Sequence, residues 1–257
     1  MPCAWDPSSA IMFEELGFQC IGTTSGGVNW AQGRRDYVYG VSREQMLEAY
    51  AAIVRATSLP VSGDLENGYG ESPSEVAETI RESIILGMVG GSIEDQNMDS
   101  NGQLFDKELA VERIVAARET SDNMGLTYTL TARCEVFSSA IEDPYAEAVV
   151  RLNRYRAAGA DCLFVPGLSD IKTLGRLVQD VDGPISFGMG ASAQPLSISA
   201  LAETGIRRIS TGGGLPRAAF SLVRNAATEI LSSGTFGYLD SAISDPDINE
   251  YFRQHGS

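Results

Sequence analysis

Short apolar, β-prone runs alternate along the chain with longer stretches whose apolar positions recur at helical spacing. The runs are Pro2–Trp5, Cys20–Thr24, Val61–Asp64, Gly91–Glu94, Thr127–Ala132, Asp161–Val165, Ile185–Gly188 and Arg208–Thr211. Each precedes a helical stretch, so the pattern predicts repeated βα units and a parallel sheet. Eight such units favour a single α/β fold, a closed (β/α)8 TIM-type barrel, over an open doubly wound sheet. Ser42 with Gln45 and Ser72 with Glu75 read as capping boxes, Pro73 takes a first helical position, and Gly87 and Gly159 stop helices ahead of the next strand. Residues 1–233 are assigned to the barrel and residues 234–257 to a partly helical tail, whose Phe, Tyr and Leu side chains are expected to pack on a neighbouring subunit. The segment Gln96–Asp106 has turn residues throughout. Because it follows the fourth strand it is expected to overhang the site as a lid, a plain surface loop being the alternative.

Polar residues interrupt this pattern where three strands end: Asp64 and Glu66, then Glu94, then Arg133 and Glu135. Active sites of parallel barrels are built on that face. Asp64 and Glu66 are expected to point the same way along their strand, because side chains alternate with a period of two. Hard carboxylate ligands of this kind suit Mg²⁺, with Mn²⁺ as a substitute; a solvated acidic rim without metal is the bland alternative. Arg133 has a planar fork that can clamp a carboxylate or stabilise an enolate oxygen, or else pair with the same acids. Gly212-Gly213-Gly214 opens the last long helix, a position that receives anions in many barrels but equally forms a tight turn.

Charge and composition narrow the function. The net charge of −15 over 257 residues, with a pI near 4.4, argues against nucleic acid and anionic membranes as partners. With no long apolar run and no signal-like N-terminus, a cytoplasmic protein is expected. The cysteines Cys3, Cys20, Cys134 and Cys162 form no CxxC pair. Cys20 and Cys162 lie in apolar runs and are expected as core thiols, while Cys134 either packs in the core or faces the site. His255 is the single histidine, which leaves no strand-end His for a Ser-His-Asp or Cys-His device. Lysine occurs only at Lys107 and Lys172, off the strand ends, so Schiff-base chemistry lacks its nucleophile.

The segments AWDPSSAIMFEELGF, TTSGGVNWAQGRRD, SGDLENGYG, SIEDQ, TARCEVF and AAGADCLFVPGL, in that order, resemble the isocitrate lyase/phosphoenolpyruvate mutase superfamily, and the likeness extends through GTFGYLD and DINEYF. The resemblance implies an eight-stranded barrel whose last helix is exchanged between subunits of a homodimer or homotetramer. It also implies Mg²⁺, a small anionic 2-oxo acid or enolpyruvyl substrate, and an enolate intermediate. By position it implies that Ser25, Gly26 and Gly27 receive the substrate carboxylate, that Asp36 is a catalytic group near metal and substrate, that Asp64, Glu66 and Glu94 form the metal shell, and that Arg133 contacts substrate oxygens. The lyase loop K-[KR]-C-G-H is replaced by QNMDSNGQLFDKE, D-x-D by D-x-E, and the residues near Phe187–Gly190 also depart from the lyases. The expectation is therefore a Mg²⁺-dependent lyase or decarboxylase, neither an isocitrate lyase nor a methylisocitrate lyase. A phosphoenolpyruvate mutase-type or C–P bond-cleaving enzyme, for which Asn97 and Asn101 would have to serve, is the alternative, and a barrel that binds a metabolite without turnover is a third.

Overall fold

All eight apolar runs are strands in a computed structural model that describes residues 1–36, 40–98, 102–191 and 196–255. They are β1 (Cys3–Ala4), β2 (Ile21–Thr23), β3 (Val61–Asp64), β4 (Gly90–Glu94), β7 (Thr129–Arg133), β8 (Cys162–Phe164), β9 (Ile185–Gly188) and β10 (Arg208–Ser210). They pair in that order and in parallel, with Glu94 opposite Arg133 and Asp64 opposite Ser92. The two ends of the sheet meet: the Cys3 N–H donates to Thr211 Oγ1 at 2.9 Å and the Thr211 N–H to Met1 O at 3.3 Å, nearly closing a barrel.

Helices α1 (Pro7–Glu15), α2 (Ser25–Ala31), α3 (Arg43–Arg55), α4 (Pro73–Ile85), α5 (Lys107–Asn123), α6 (Pro144–Ala157), α7 (Ile171–Asp180) and α8 (Ile198–Glu203) are interleaved with the strands. Both expected capping boxes form, Ser42 with Gln45 and Ser72 with Glu75, and Gly87 and Gly159 take positive φ just past α4 and α6. The apolar core lies between strands and helices. Val61, Ile93, Leu130, Leu163 and Ile185 are buried on the outer faces of their strands, where truncation to alanine would cost about 2–5 kcal/mol for the larger side chains. Strand alternation then turns Ser62, Ser92, Thr131 and Ser186 toward the axis, so the bore is polar where many barrels are filled by branched apolar residues.

Three expectations need correction. The segment Gln96–Asp106 is not structureless: β5 (Gln96–Asn97) and β6 (Gln103–Leu104) form an antiparallel hairpin, anchored by the buried Phe105. Its tip, Asp99 to Asn101, lies outside the described residues, as do positions 192–195 within the remodelled region. Cys20 is exposed rather than a core thiol, because it precedes β2 at the strand's outer end; Cys162 is buried as expected. Glu66 does not share a strand with Asp64, since β3 stops at Asp64 and Glu66 turns into the left-handed region with φ 49°. Arg133 is the last residue of β7, at a strand end as expected.

The chain ends in α9 (Gly214–Ser233) and α10 (Asp245–His255). Only Pro216 of α9 is buried, and Leu222, Val223 and Leu231 are exposed. In the tail, His255 Nδ1 lies 2.9 Å from Glu15 Oε1, so the end of α10 meets α1 of its own chain. No described helix is long and apolar enough to cross a membrane.

Candidate active site

A cavity of about 310 Å³ opens at the C-terminal ends of the strands and is lined by Ser25, Gly26, Asp36, Asp64, Glu66, Glu94 and Arg133 among others. Asp64 is held from several sides. Its backbone N–H donates to Thr23 Oγ1 at 2.9 Å, its carbonyl accepts from the Tyr50 hydroxyl at 2.6 Å, and its Oδ2 accepts from the Ser25 N–H at 3.1 Å and the Ser25 hydroxyl at 2.9 Å. Gly26 matters for its missing side chain: a Cβ there would lie 2.7 Å from Asp36 Oδ2, so glycine lets that carboxylate rest against the first turn of α2.

Arg133 faces the acids from β7. Its Nη1 lies 3.1 Å from Glu94 Oε2 and 3.6 Å from Asp64 Oδ1, and its Nε is bonded to Glu135 Oε1. Cation and carboxylates do not balance. Among the described residues, Asp64 Oδ1, Glu66 Oε2 and Glu94 Oε1 are buried with no hydrogen-bond partner. Burial pushes the Glu94 carboxyl well above the usual range; Arg133 opposes the shift, while Glu135, Asp64 and Glu66 reinforce it. Glu66 is pushed up to about 8, by burial first and then by Asp64 and Asp36. A divalent cation would remove each of these costs, and the oxygens left bare are the hard donors that Mg²⁺ takes. Among the described residues no three His, Cys, Asp or Glu side chains close around a point.

A second layer fixes the first. The Asp95 N–H donates to the Arg133 carbonyl at 3.1 Å, and its Oδ1 accepts from the Glu135 N–H at 2.8 Å. The Tyr155 hydroxyl and Arg151 Nη1 donate to its Oδ2 at 2.6 and 3.2 Å. Buried polar groups this fully paired hold the geometry around them. Cys134 packs in the core beside Asp95, with its thiol pushed well up by burial, and it does not line the cavity.

The cavity thus brings together Ser25, Gly26, Asp36, Asp64, Glu66, Glu94 and Arg133, but Gly27 does not reach its wall. The Gly27 N–H donates to Thr24 Oγ1 at 3.4 Å, and a Cβ there would meet Trp5 and Pro216. The N–H and hydroxyl of Ser25, expected to meet a substrate carboxylate, are both engaged by Asp64. Gly212 and Gly213 do line the cavity, while the Gly214 N–H is taken by the Thr211 carbonyl at 3.0 Å. Residues the sequence did not mark also take part. Asn29 is fully buried beside Glu66, and Trp30, Met98, Arg208 and Arg217 line the wall. Arg208 and Ser210 share the inward phase of β10, a signal present in the sequence but hidden beside Arg207.

Residues 1–231 match the phosphoenolpyruvate phosphomutase family. An uncharacterized protein of Mycobacterium tuberculosis (strain CDC 1551 / Oshkosh) is 31% identical over 82% of this chain and 76% of its own length. A 2-methylisocitrate lyase of Halalkalibacterium halodurans is 27% identical over 90% of this chain and 72% of its own. Among solved structures, a provisionally described lyase/mutase from Burkholderia cenocepacia J2315 superposes with a TM-score of 0.93 at 39% identity, covering 98% of this chain and 89% of that one. A nearly closed parallel barrel, acids and an arginine at its strand ends, and these likenesses along the chain lead to one conclusion: the protein belongs to the phosphoenolpyruvate phosphomutase family, within the isocitrate lyase/phosphoenolpyruvate mutase superfamily.

Proposed function

We propose that the protein is a divalent-metal-dependent lyase or decarboxylase acting on a small 2-oxo acid or related dicarboxylate through an enolpyruvate-like intermediate. The observation that carries this reading is the set of three unpartnered carboxylate oxygens, on Asp64, Glu66 and Glu94, set against Arg133 in one cavity. Mg²⁺, or Mn²⁺ in its place, would be held through Asp64, Glu66 and Glu94 and would supply Lewis-acid stabilisation of developing oxyanion charge. Arg133 presents a fixed guanidinium to the same oxygen, oriented by Glu135 and Glu94 so that it needs no reorganisation as charge appears. Asp36, beside Gly26, lies where it can orient substrate oxygens or exchange a proton. Ser25 positions Asp64 rather than touching substrate directly. Decarboxylation asks little more of the protein, because water can deliver the final proton.

Relatives of this chain include proteins named 2-methylisocitrate lyase and oxaloacetate decarboxylase, which supports cleavage next to a carbonyl or hydroxyl-bearing carbon. A phosphoenolpyruvate mutase-type or C–P bond-cleaving activity is the second reading, favoured by the family match. We further infer a homodimer or homotetramer in which the apolar face of α9 and the tail from residue 234 are covered by a second copy, the barrel proper being residues 1–233. The deciding experiment incubates the protein and Mg²⁺ with oxaloacetate, substituted malates, phosphonopyruvate and phosphoenolpyruvate, following pyruvate and phosphorus-31 signals together. Mg²⁺-dependent pyruvate release from oxaloacetate or a malate, above the metal-only rate, is expected. Interconversion of phosphonopyruvate and phosphoenolpyruvate would transfer the assignment to the mutase reading, and no turnover of any of them would leave a metabolite-binding barrel.

A further inference from the structure

The cavity does not stop at the carboxylates. Two residues farther down their strands, about 6–7 Å along each, lie Ser62 under Asp64, Ser92 under Glu94 and Thr131 under Arg133. Opposite them Arg208 enters the bore from β10. Ser62, Ser92, Arg208 and Ser210 are inside the barrel yet only half-buried, because they open onto the cavity. A packed barrel layer would have sealed them.

Arg208 is braced but not neutralised. Its Nε donates to Ser186 Oγ at 3.0 Å and its Nη2 to Thr131 Oγ1 at 2.8 Å, both uncharged acceptors. Its Nη1 has no hydrogen-bond partner and its guanidinium no carboxylate partner among the described residues, in contrast to Arg133, which meets three. The hydroxyls of Ser62, Ser92 and Ser210 likewise make no hydrogen bond among the described residues. Two anchored donors fix the plane of the guanidinium, and Arg208 shares the cavity lining with Ser62, Ser92 and Ser210. Such a fork, set in advance and unpaired, recognises a carboxylate.

We propose that Arg208, with Ser62 and Ser92, forms a second anion subsite on the floor of the cavity, which takes the distal carboxylate of a dicarboxylate substrate. This rests on the metal-centred reading only for the other end of the molecule. The 2-oxo or 2-hydroxy acid end lies at the level of Arg133, and the second carboxylate reaches one strand layer below. A diacid of about four carbons spans the two levels, whereas oxalate occupies the upper one alone. Arg208 is thus a specificity-determining residue that separates diacids from monoacids, at a net charge of −15 that otherwise repels both.

The test measures binding of oxalate and of L-malate to the Mg²⁺-loaded protein by calorimetry, in the parent, in Arg208→Gln and in Ser62→Val. Ser62→Val narrows the floor without removing a bond of Arg208, and so decides the matter if Arg208→Gln fails to fold. Malate affinity is expected to fall about tenfold to a hundredfold in Arg208→Gln, the loss of a charge-assisted contact, and to fall also in Ser62→Val, with oxalate unchanged in both. Equal malate affinity in parent and variants, or no malate binding to the parent, overturns the subsite. Failure of the parent to bind oxalate with Mg²⁺ instead overturns the metal-centred reading. A parallel loss of oxalate and malate in a folded Arg208→Gln would also reject the subsite, because the arginine would then be supporting the upper level.

Discussion

The charge imbalance around Glu66 makes the metal-free protein sensitive to mildly alkaline pH. Its carboxyl is raised from an ordinary value of 4.5 to about 8 by burial and by Asp64 and Asp36. The folded protein therefore keeps a proton on Glu66 that the unfolded chain releases above pH 4.5. Stability linked to this group is fully present below 4.5 and is lost as pH climbs through about 8. At about 1.4 kcal/mol per pH unit the loss amounts to about 5 kcal/mol, or on the order of 10 °C in melting temperature for a chain of this size. The assay is a set of melting curves from pH 5 to pH 8.5, in EDTA and in 10 mM Mg²⁺ (about that concentration saturates ordinary sites), for the parent and for Glu66→Gln. In EDTA the parent should lose stability steadily across that range and Glu66→Gln should lose markedly less. In Mg²⁺ the parent's slope should flatten, since a cation next to the carboxylate replaces the proton. Superimposable pH profiles for parent and Glu66→Gln in EDTA would refute the reasoning, as would a parent slope indifferent to Mg²⁺.

Replacing Arg133 by lysine keeps a charge among Asp64, Glu94 and Glu135 but loses the fork, so turnover should drop about a hundredfold or more with an unchanged circular dichroism spectrum; a rate within a few-fold of the parent would reduce Arg133 to a structural ion pair. Iodoacetamide should label the exposed Cys20 and spare the buried Cys134 without loss of activity; inactivation that tracks labelling of Cys134 would restore a catalytic thiol. Truncation before Gly234 should shift the sedimentation profile toward smaller or aggregated species, because the tail and the exposed Leu222, Val223 and Leu231 of α9 are proposed to pack on a second copy; a parent that sediments as a compact monomer contradicts the assembly proposed.

Every strand of the barrel could be read from its apolar run, because outward positions such as Val61, Ile93 and Leu130 must be apolar to meet helices wherever the chain places them. The acids and Arg133 were equally visible, since charge at the end of an apolar run has few structural uses. What stayed hidden depends on closure in three dimensions. Arg208, next to Arg207, looks like surface charge until β10 is wrapped against β9 and Thr131 comes within reach across the bore. Asn29 sits on a short helix with no pattern to mark it, and only the approach of Glu66 gives its buried amide a context. Glu66 itself was placed on a strand because alternation was extended one turn too far. The left-handed φ of 49° is a decision of the turn, not of the pattern. The β5–β6 hairpin was missed because its arms are two residues each and its sequence is polar.

The bonds gathered by Asp95 have a consequence for time as well as for geometry. The Asp95 N–H reaches the Arg133 carbonyl, its carbonyl accepts from the Phe105 N–H at 2.9 Å, its carboxylate holds the Glu135 N–H, and one residue earlier the Glu94 N–H is bonded to the Glu66 carbonyl at 2.9 Å. The ends of β4 and β7 and the base of the hairpin are therefore laced through Asp95, with the end of β3 tied in through Glu94, and none can swing outward alone. Amide protons at 94, 95 and 135 should exchange with solvent only when the whole barrel opens, at the slow rate of global unfolding. The charged face of the barrel is therefore set by these bonds before any ligand arrives.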